Sequence, residues 1–294
     1  MTKRINYLKL MKFYFSLALY FFCTVSGFSQ EGMKITPIDR TGHLFIYWGW
    51  NWDAYSTSNI TFKGDQYNFT LDHVAALQKP KAFSLENYFN PSVATIPQYN
   101  FRIGYFFNPH YAITIGTDHM KYVVTNDQVV SISGMIDNSG TAYDGTYEDD
   151  KIKITEDFLQ FEHTDGLNYV NSDIRRFDQL FDLNAVKVNL VTGLGAGVLI
   201  PKTNTTLLSM DRYDEFHLSG FGVNGMVGIN VSFFKHFFFQ SEFKTGYINM
   251  PDIRTTASES DKASQDFMFY QLNFVFGATL FLKHEKASEK KPKE

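Results

Sequence analysis

"MFYQLNFVFGATLFL", residues 268–282, alternates. Met268, Tyr270, Leu272, Phe274, Phe276, Ala278, Leu280 and Leu282 share one face of an extended chain, and Gln271, Asn273, Gly277 and Thr279 share the other. Side chains of a strand point to opposite faces in turn, so this is a strand with one greasy wall and one small or polar wall. At roughly 3.3 Å per residue it is far longer than the five or six residues usual in soluble domains. That length suits a tilted membrane crossing.

The same pattern recurs upstream. In "FGVNGMVGINVSFF", residues 221–234, Phe221, Val223, Val227, Ile229, Val231 and Phe233 oppose Gly222, Asn224, Gly228, Asn230 and Ser232. The connections between such runs alternate in length. "FFNPHY" (106–111) and "FFKHFF" (233–238) are tight, whereas 53–98, 125–155, 201–215 and 251–265 are long, polar and rich in Gly, Asp and Ser. Short turns on one side and long loops on the other are the layout of an outer-membrane barrel.

Strands are expected near 43–53, 97–107, 111–124, 156–171, 185–200, 216–233, 237–250 and 266–282, with a low turn at 178–184. The fold class is therefore all-β: a closed antiparallel transmembrane β-barrel of eight strands over residues 42–283, with a long extracellular loop at about 53–98. Ten strands are the alternative count, since "NITFKGDQYNFTL" (59–71) reads as a hairpin inside that loop. Further strand-like runs at 128–136 and 151–155 are expected to stand above the membrane.

The chain has 294 residues, a formal net charge of −4, 44% hydrophobic and 17% aromatic residues and one Cys. Such aromatic richness with a mean hydropathy of −0.22 fits residues divided between an apolar and a polar surrounding. The balance gives no basic field, so nucleic acid is excluded as a partner. Residues 1–29 read as a signal peptide: Lys3, Arg4, Lys9 and Lys12 precede the apolar run "FYFSLALYFFCTV" and the small-residue exit "SGFSQ". A short periplasmic segment (30–41) and a charged periplasmic tail (284–294) flank the barrel.

Alternation also sorts the polar residues. Asn51, Arg102, Asp118, Glu162, Asn189, Asn224, Asn230, Gln240, Glu242, Lys244, Gln271 and Asn273 fall on lumen positions, with Arg102, Asp118, Glu242 and Lys244 as a charge-neutralising network. "GLGAGV" (193–198) reads as small residues lining a narrow barrel. Trp48, Trp50 and Trp52, with Tyr122, Tyr247 and Tyr270, read as lipid-side girdle aromatics. The acidic run at 143–151 reads as a solvated loop, and neither metal nor cofactor is expected.

"FEHTDGLNYVN" (161–171) packs Glu162, His163 and Asp165 into four positions. Regular alternation puts His163 and Asp165 on one face and Glu162 on the other, and a bulge at Gly166 would change that. His163-Thr164-Asp165-Gly166 resembles the H-x-S-N signature of outer-membrane lipid A 3-O-deacylases, in which His activates a Ser two positions on. Position 165 here is Asp, so what the resemblance leaves is water activation by His163 with Asp165 or Glu162 as partner. Over most of the chain, in runs such as "FNPHYAITIGTDHMKYVV" (107–124), the sequence resembles small OmpA-type outer-membrane barrels of unassigned activity. The expected function is a structural or surface-interaction role in the outer membrane of a Gram-negative bacterium, with a lipid-modifying hydrolase as alternative. Expected partners are outer-membrane lipid and envelope or extracellular ligands met by the loops, with the barrel a monomer.

Overall fold

The computed structural model describes residues 38–82, 84–90, 97–183 and 185–281, which lie in one compact unit. The expected signal peptide and charged tail lie outside these residues. Fourteen strands and one helical turn follow in chain order. They are β1 (His43–Tyr55), β2 (Ser58–Lys63), β3 (Tyr67–Val74), β4 (Ala76–Leu77), α1 (Leu85–Phe89), β5 (Tyr99–Phe106), β6 (Tyr111–Val124), β7 (Val129–Ile136) and β8 (Gly145–Lys153). After them come β9 (Leu159–Leu183), β10 (Val186–Leu199), β11 (Asn204–Leu207), β12 (Gly220–Phe233), β13 (Phe237–Arg254) and β14 (Lys262–Phe281).

Antiparallel pairing runs β1–β5–β6–β9–β10–β12–β13–β14, and β14 pairs back onto β1, so eight strands form a ring. At one end, the turn end, consecutive strands meet in tight turns. The Asn108 side chain accepts from the backbone N–H groups of His110 (2.9 Å) and Tyr111 (2.8 Å), an Asx turn before β6. Phe234 and Lys235, both at positive φ, make the corresponding turn before β13.

At the opposite, loop end the wall continues past the ring. β14 pairs with β1 up to Phe269↔Tyr55 and then with β2 from Gln265↔Ile60, so β2 prolongs the line of β1. β3 pairs with β2, β7 with β3 and β8 with β7, while β11 prolongs β10 along β9. The hairpin at 59–71 thus joins the wall above the ring and not between two ring strands. The acidic run expected as a loop is strand β8 at the sheet's edge, where its charged side chains face away from the packed interior.

One strand is longer than expected. β9 runs 25 residues, to Leu183, past the expected strand end at 171 and through the expected turn at 178–184, because Asp173, Arg175 and Phe177 continue the inward face of Asn171. The outer wall of the ring is the reverse of a soluble surface. Ile103, Ile113, Ile115, Ile174, Leu194, Phe221, Phe239, Phe243, Phe274 and Phe276 are all exposed there. Trp48, Trp50 and Trp52 also face outward, Trp48 edge-on to Phe276 and Trp52 edge-on to Phe274.

Candidate functional site

The interior is filled in layers. At the turn end, Phe45, Phe106 and Phe177 pack with ring centroids 4.9–5.9 Å apart. Arg40, from the segment before β1, lies 5.8 Å over the Phe106 and Phe177 rings and donates to Asn189 Oδ1 (2.5 Å) and the Pro109 carbonyl (3.2 Å). Aromatic rings under a cation close this end of the lumen.

Above that floor lies an ion network that is 0–1% exposed. Arg102 bridges Asp118 (3.2 Å) and Asp173 (2.8 Å), Arg175 bridges Asp173 (2.8 Å) and Glu242 (2.6 Å), and Lys244 reaches Asp118 (2.6 Å). Three cations meet three carboxylates, and Tyr47, Asn100 and Asn171 hydrogen-bond what remains. Each charge carries at least one partner of opposite sign, the condition for tolerating burial. Gly193, Gly195 and Gly197 make the room: a Cβ at Gly195 would collide with the Asp173 carboxylate, and one at Gly193 would press on the Arg175 stem at 3.1 Å.

Side-chain hydrogen bonds continue through both layers. From Arg40 the path runs through Asn189, Asn230, Gln240, Glu242, Arg175, Asp173, Arg102, Asp118, Asn100 and Asn51 to Gln98, which donates to Asp53 (2.6 Å) and to Gln78 (3.2 Å). The first long connection is thereby tied to the mouth of the ring by Gln78.

Beyond Asp53 the interior turns apolar. Ile60, Phe62, Phe69, Leu71, Ile132, Phe158, Phe161, Leu207, Ile253 and Phe267 form an upper core. His163 is fully buried within it, between Phe161 (ring centroids 5.1 Å) and Tyr122 (5.6 Å). Its Nδ1 meets Thr203 Oγ1 at 3.0 Å and its Nε2 meets the Gln265 amide at 3.4 Å. Burial pushes the imidazole down to about pH 3, so it is neutral at physiological pH.

The expected cluster is dispersed by a bulge. Met120 pairs with Leu167 but Tyr122 pairs with His163, and Gly166 takes φ +123°, a region that favours glycine. Glu162 lies on the even-numbered, outward face of β9, where it pairs with Lys79 (3.1 Å) and Asn204 (3.0 Å), correcting its assignment to the lumen. Asp165 is exposed beside Lys202 (3.5 Å). His163 points inward, and among the described residues no carboxylate pairs with it. The base-and-carboxylate arrangement needed for water activation is not assembled. Tyr122 is a further correction: it faces the interior, 0% exposed, and not lipid.

Arg102, Asp118, Glu242 and Lys244 do come together. Sequence reading missed Asp173 and Arg175 because the strand was expected to end at 171, and the alternating Asn171-x-Asp173-x-Arg175-x-Phe177 was the signal. Nothing in the sequence flagged Arg40 as a plug.

No family model and no curated protein matches the chain. Among solved structures it is similar to OprG from Pseudomonas aeruginosa, with 11% identity over 82% of this chain and 97% of that one and a TM-score of 0.36. It is likewise similar to Ail, the attachment invasion locus protein of Yersinia pestis, with 10% identity over 82% and 99% and a TM-score of 0.30. A third is the outer membrane protease OmpT from Escherichia coli, with 9% identity over 86% and 100% and a TM-score of 0.26. At these scores none of them assigns an activity to this chain.

Proposed function

We propose that the chain is an integral outer-membrane β-barrel of eight strands, its turn end in the periplasm and its loop end outside. In this reading the ring is an anchor that holds a packed extracellular body, giving it a structural or surface-interaction role. The observation that carries this is the filled lumen: aromatic floor, neutralised ion network and apolar upper core follow one another along the interior. Eight strands leave room for side chains and not for a water path. The exposed apolar wall with its outward tryptophans supports placement in lipid.

Two measurements on the reconstituted protein test it. Brominated-lipid quenching of Trp48, Trp50 and Trp52 is expected in vesicles, and planar bilayers are expected to show no single-channel steps. Steady conductance, or a lipid A acyl pattern that changes when the gene is deleted and is not restored by His163→Ala, would overturn a non-catalytic anchoring role.

A further inference from the structure

The mouth of the ring holds a carboxylate that the ion network does not neutralise. Asp118, Asp173 and Glu242 each face an arginine or a lysine, and the Lys244 ammonium is taken by Asp118 at 2.6 Å. Asp53 is the fourth inward carboxylate, 5% exposed, and among the described residues no cation pairs with it. Its two oxygens meet neutral amides, Gln271 Nε2 at 3.0 Å and Gln98 Nε2 at 2.6 Å. A buried carboxylate in such company either gives up its charge or takes a cation.

The atoms around it favour the cation. Gln98 Nε2 stands close to three oxygens at once: Asp53 Oδ2 (2.6 Å), Asn51 Oδ1 (3.1 Å) and Gln78 Oε1 (3.2 Å). An amide nitrogen carries two hydrogens, so one of the three acceptors goes unserved. The Gln98 oxygen, meanwhile, is buried and has no hydrogen-bond partner. A half-turn of this amide exchanges its two atoms and sets a fourth oxygen among the other three. Neighbouring oxygens in a Ca²⁺ shell, with six to eight ligands about 2.3–2.6 Å from the ion, stand about 3 Å apart, which is the spacing found here. One carboxylate with amide oxygens, and neither nitrogen nor sulfur, is a donor set that suits Ca²⁺. Mg²⁺ keeps several of its waters, and Asn51 and Gln98, 2% and 3% exposed, leave little space for them. Gln78, half-buried, is the side from which an ion would enter, and its oxygen is held in place by the Asp53 backbone N–H at 2.8 Å.

We propose that Asp53, Asn51, Gln78 and Gln98 bind one Ca²⁺ ion at the mouth of the ring. The ion supplies the charge that Asp53 lacks and joins β1 to the residue after β4 and the residue before β5. It thereby pins two points of the first long connection, Gln78 and Gln98, to the ring. No contiguous motif announces such a site, because its ligands are spread over residues 51–98. The site is built from the interior alone and does not depend on the membrane placement proposed above.

Calcium titration of the folded protein in a zwitterionic detergent tests it, read by chemical unfolding and by terbium luminescence excited through tryptophan. Sites of low ligand charge hold Ca²⁺ with a Kd on the order of 10⁻⁴–10⁻³ M, so about 10 mM is expected to raise the folding equilibrium constant tenfold or more. Mg²⁺ and NaCl at matched ionic strength are expected to leave it unchanged. D53N is expected to lose the calcium response, and Q78L, at the solvent side, to weaken calcium affinity about tenfold. Terbium emission that Ca²⁺ displaces should fall in the same order. If D53N does not fold, Q78L is decisive by itself. No response to Ca²⁺, an equal response to matched Mg²⁺ or NaCl, or variants that respond as the parent does, overturns the site.

Discussion

The two interiors of this chain are filled with opposite materials. Within the ring, Arg102, Arg175 and Lys244 face Asp118, Asp173 and Glu242, whereas above it Phe62, Phe69, Phe158 and Phe161 pack against one another. β14 passes through both regimes without changing its geometry. Its inward residues go from Ala263, Phe267 and Phe269 to Gln271 and Asn273, while its outward residues go from Lys262, Ser264 and Asp266 to Leu272, Phe274 and Phe276. The inversion follows the surroundings. Where the outside is lipid, only a polar inside lets alternation distinguish the two faces and fix the register; where the outside is water, an apolar inside does the same.

The sharpest way to break this pairing is to leave charges alone in the lower interior. Asp118→Ala removes the partner that Lys244 reaches at 2.6 Å and Arg102 at 3.2 Å, where all three side chains are fully buried. A loss of about 3–5 kcal/mol is expected, read as a shift of the urea midpoint in a heat-modifiability gel assay. An unchanged midpoint would mean that the network is hydrated and the lumen is not filled.

Phe62→Ala attacks the upper interior instead. The ring stacks on Phe69 (5.3 Å) and meets Phe161 edge-on (5.6 Å) with no exposure, so about 3–4 kcal/mol of local stability is expected to go. Hydrogen exchange should accelerate across β2, β3 and β7 while the ring strands keep their protection. Equal acceleration in both would show that the two interiors fold as one unit.

Acid separates them further. His163 has a folded pKa near 3 against about 6.5 unfolded, so the folded state binds fewer protons in between. Its contribution is intact above pH 6.5 and is lost as pH falls toward 3. Between pH 6.5 and 5 the upper core should lose about 2 kcal/mol, a loss that His163→Phe is expected to abolish. Exchange rates in β7 and β9 measured across that range would check it, and an equal acid response in both proteins would assign the effect to other groups.

The ring was legible in the sequence because lipid outside and polar groups inside give every crossing the same signature, as in 221–234 and 268–282. Where both faces were polar or charged, as in Ser172, Asp173, Arg175 and Arg176, the strand was expected to stop at 171. The surroundings of His163 were not legible. Ser58, Tyr122, Thr203 and Gln265 come from four distant segments, and the bulge at residues 164–166 turns Asp165 outward, away from His163, while the inward face stays on odd-numbered residues on both sides of it.

The smallest expected effect probes how that polar pocket survives in an apolar core. The Tyr122 hydroxyl meets Ser58 Oγ and Gln265 Oε1, each at 3.1 Å, and Ser58 Oγ also donates to Gln265 Oε1 at 3.3 Å. Tyr122→Phe therefore removes one hydroxyl but leaves Ser58 and Gln265 satisfied by each other, and the ring keeps its stack on Phe267 at 4.9 Å. A cost of about 1 kcal/mol is expected, near the value of a single net hydrogen bond. Gln265→Leu is the contrasting change, because it takes away the amide facing His163 and the acceptor for Ser58 together. If Tyr122→Phe costs as much as Gln265→Leu in the exchange of β2 and β9, the hydroxyl is the organising group of the pocket, and the hydrogen-bond order drawn from Thr203 through His163 to Gln265 is wrong.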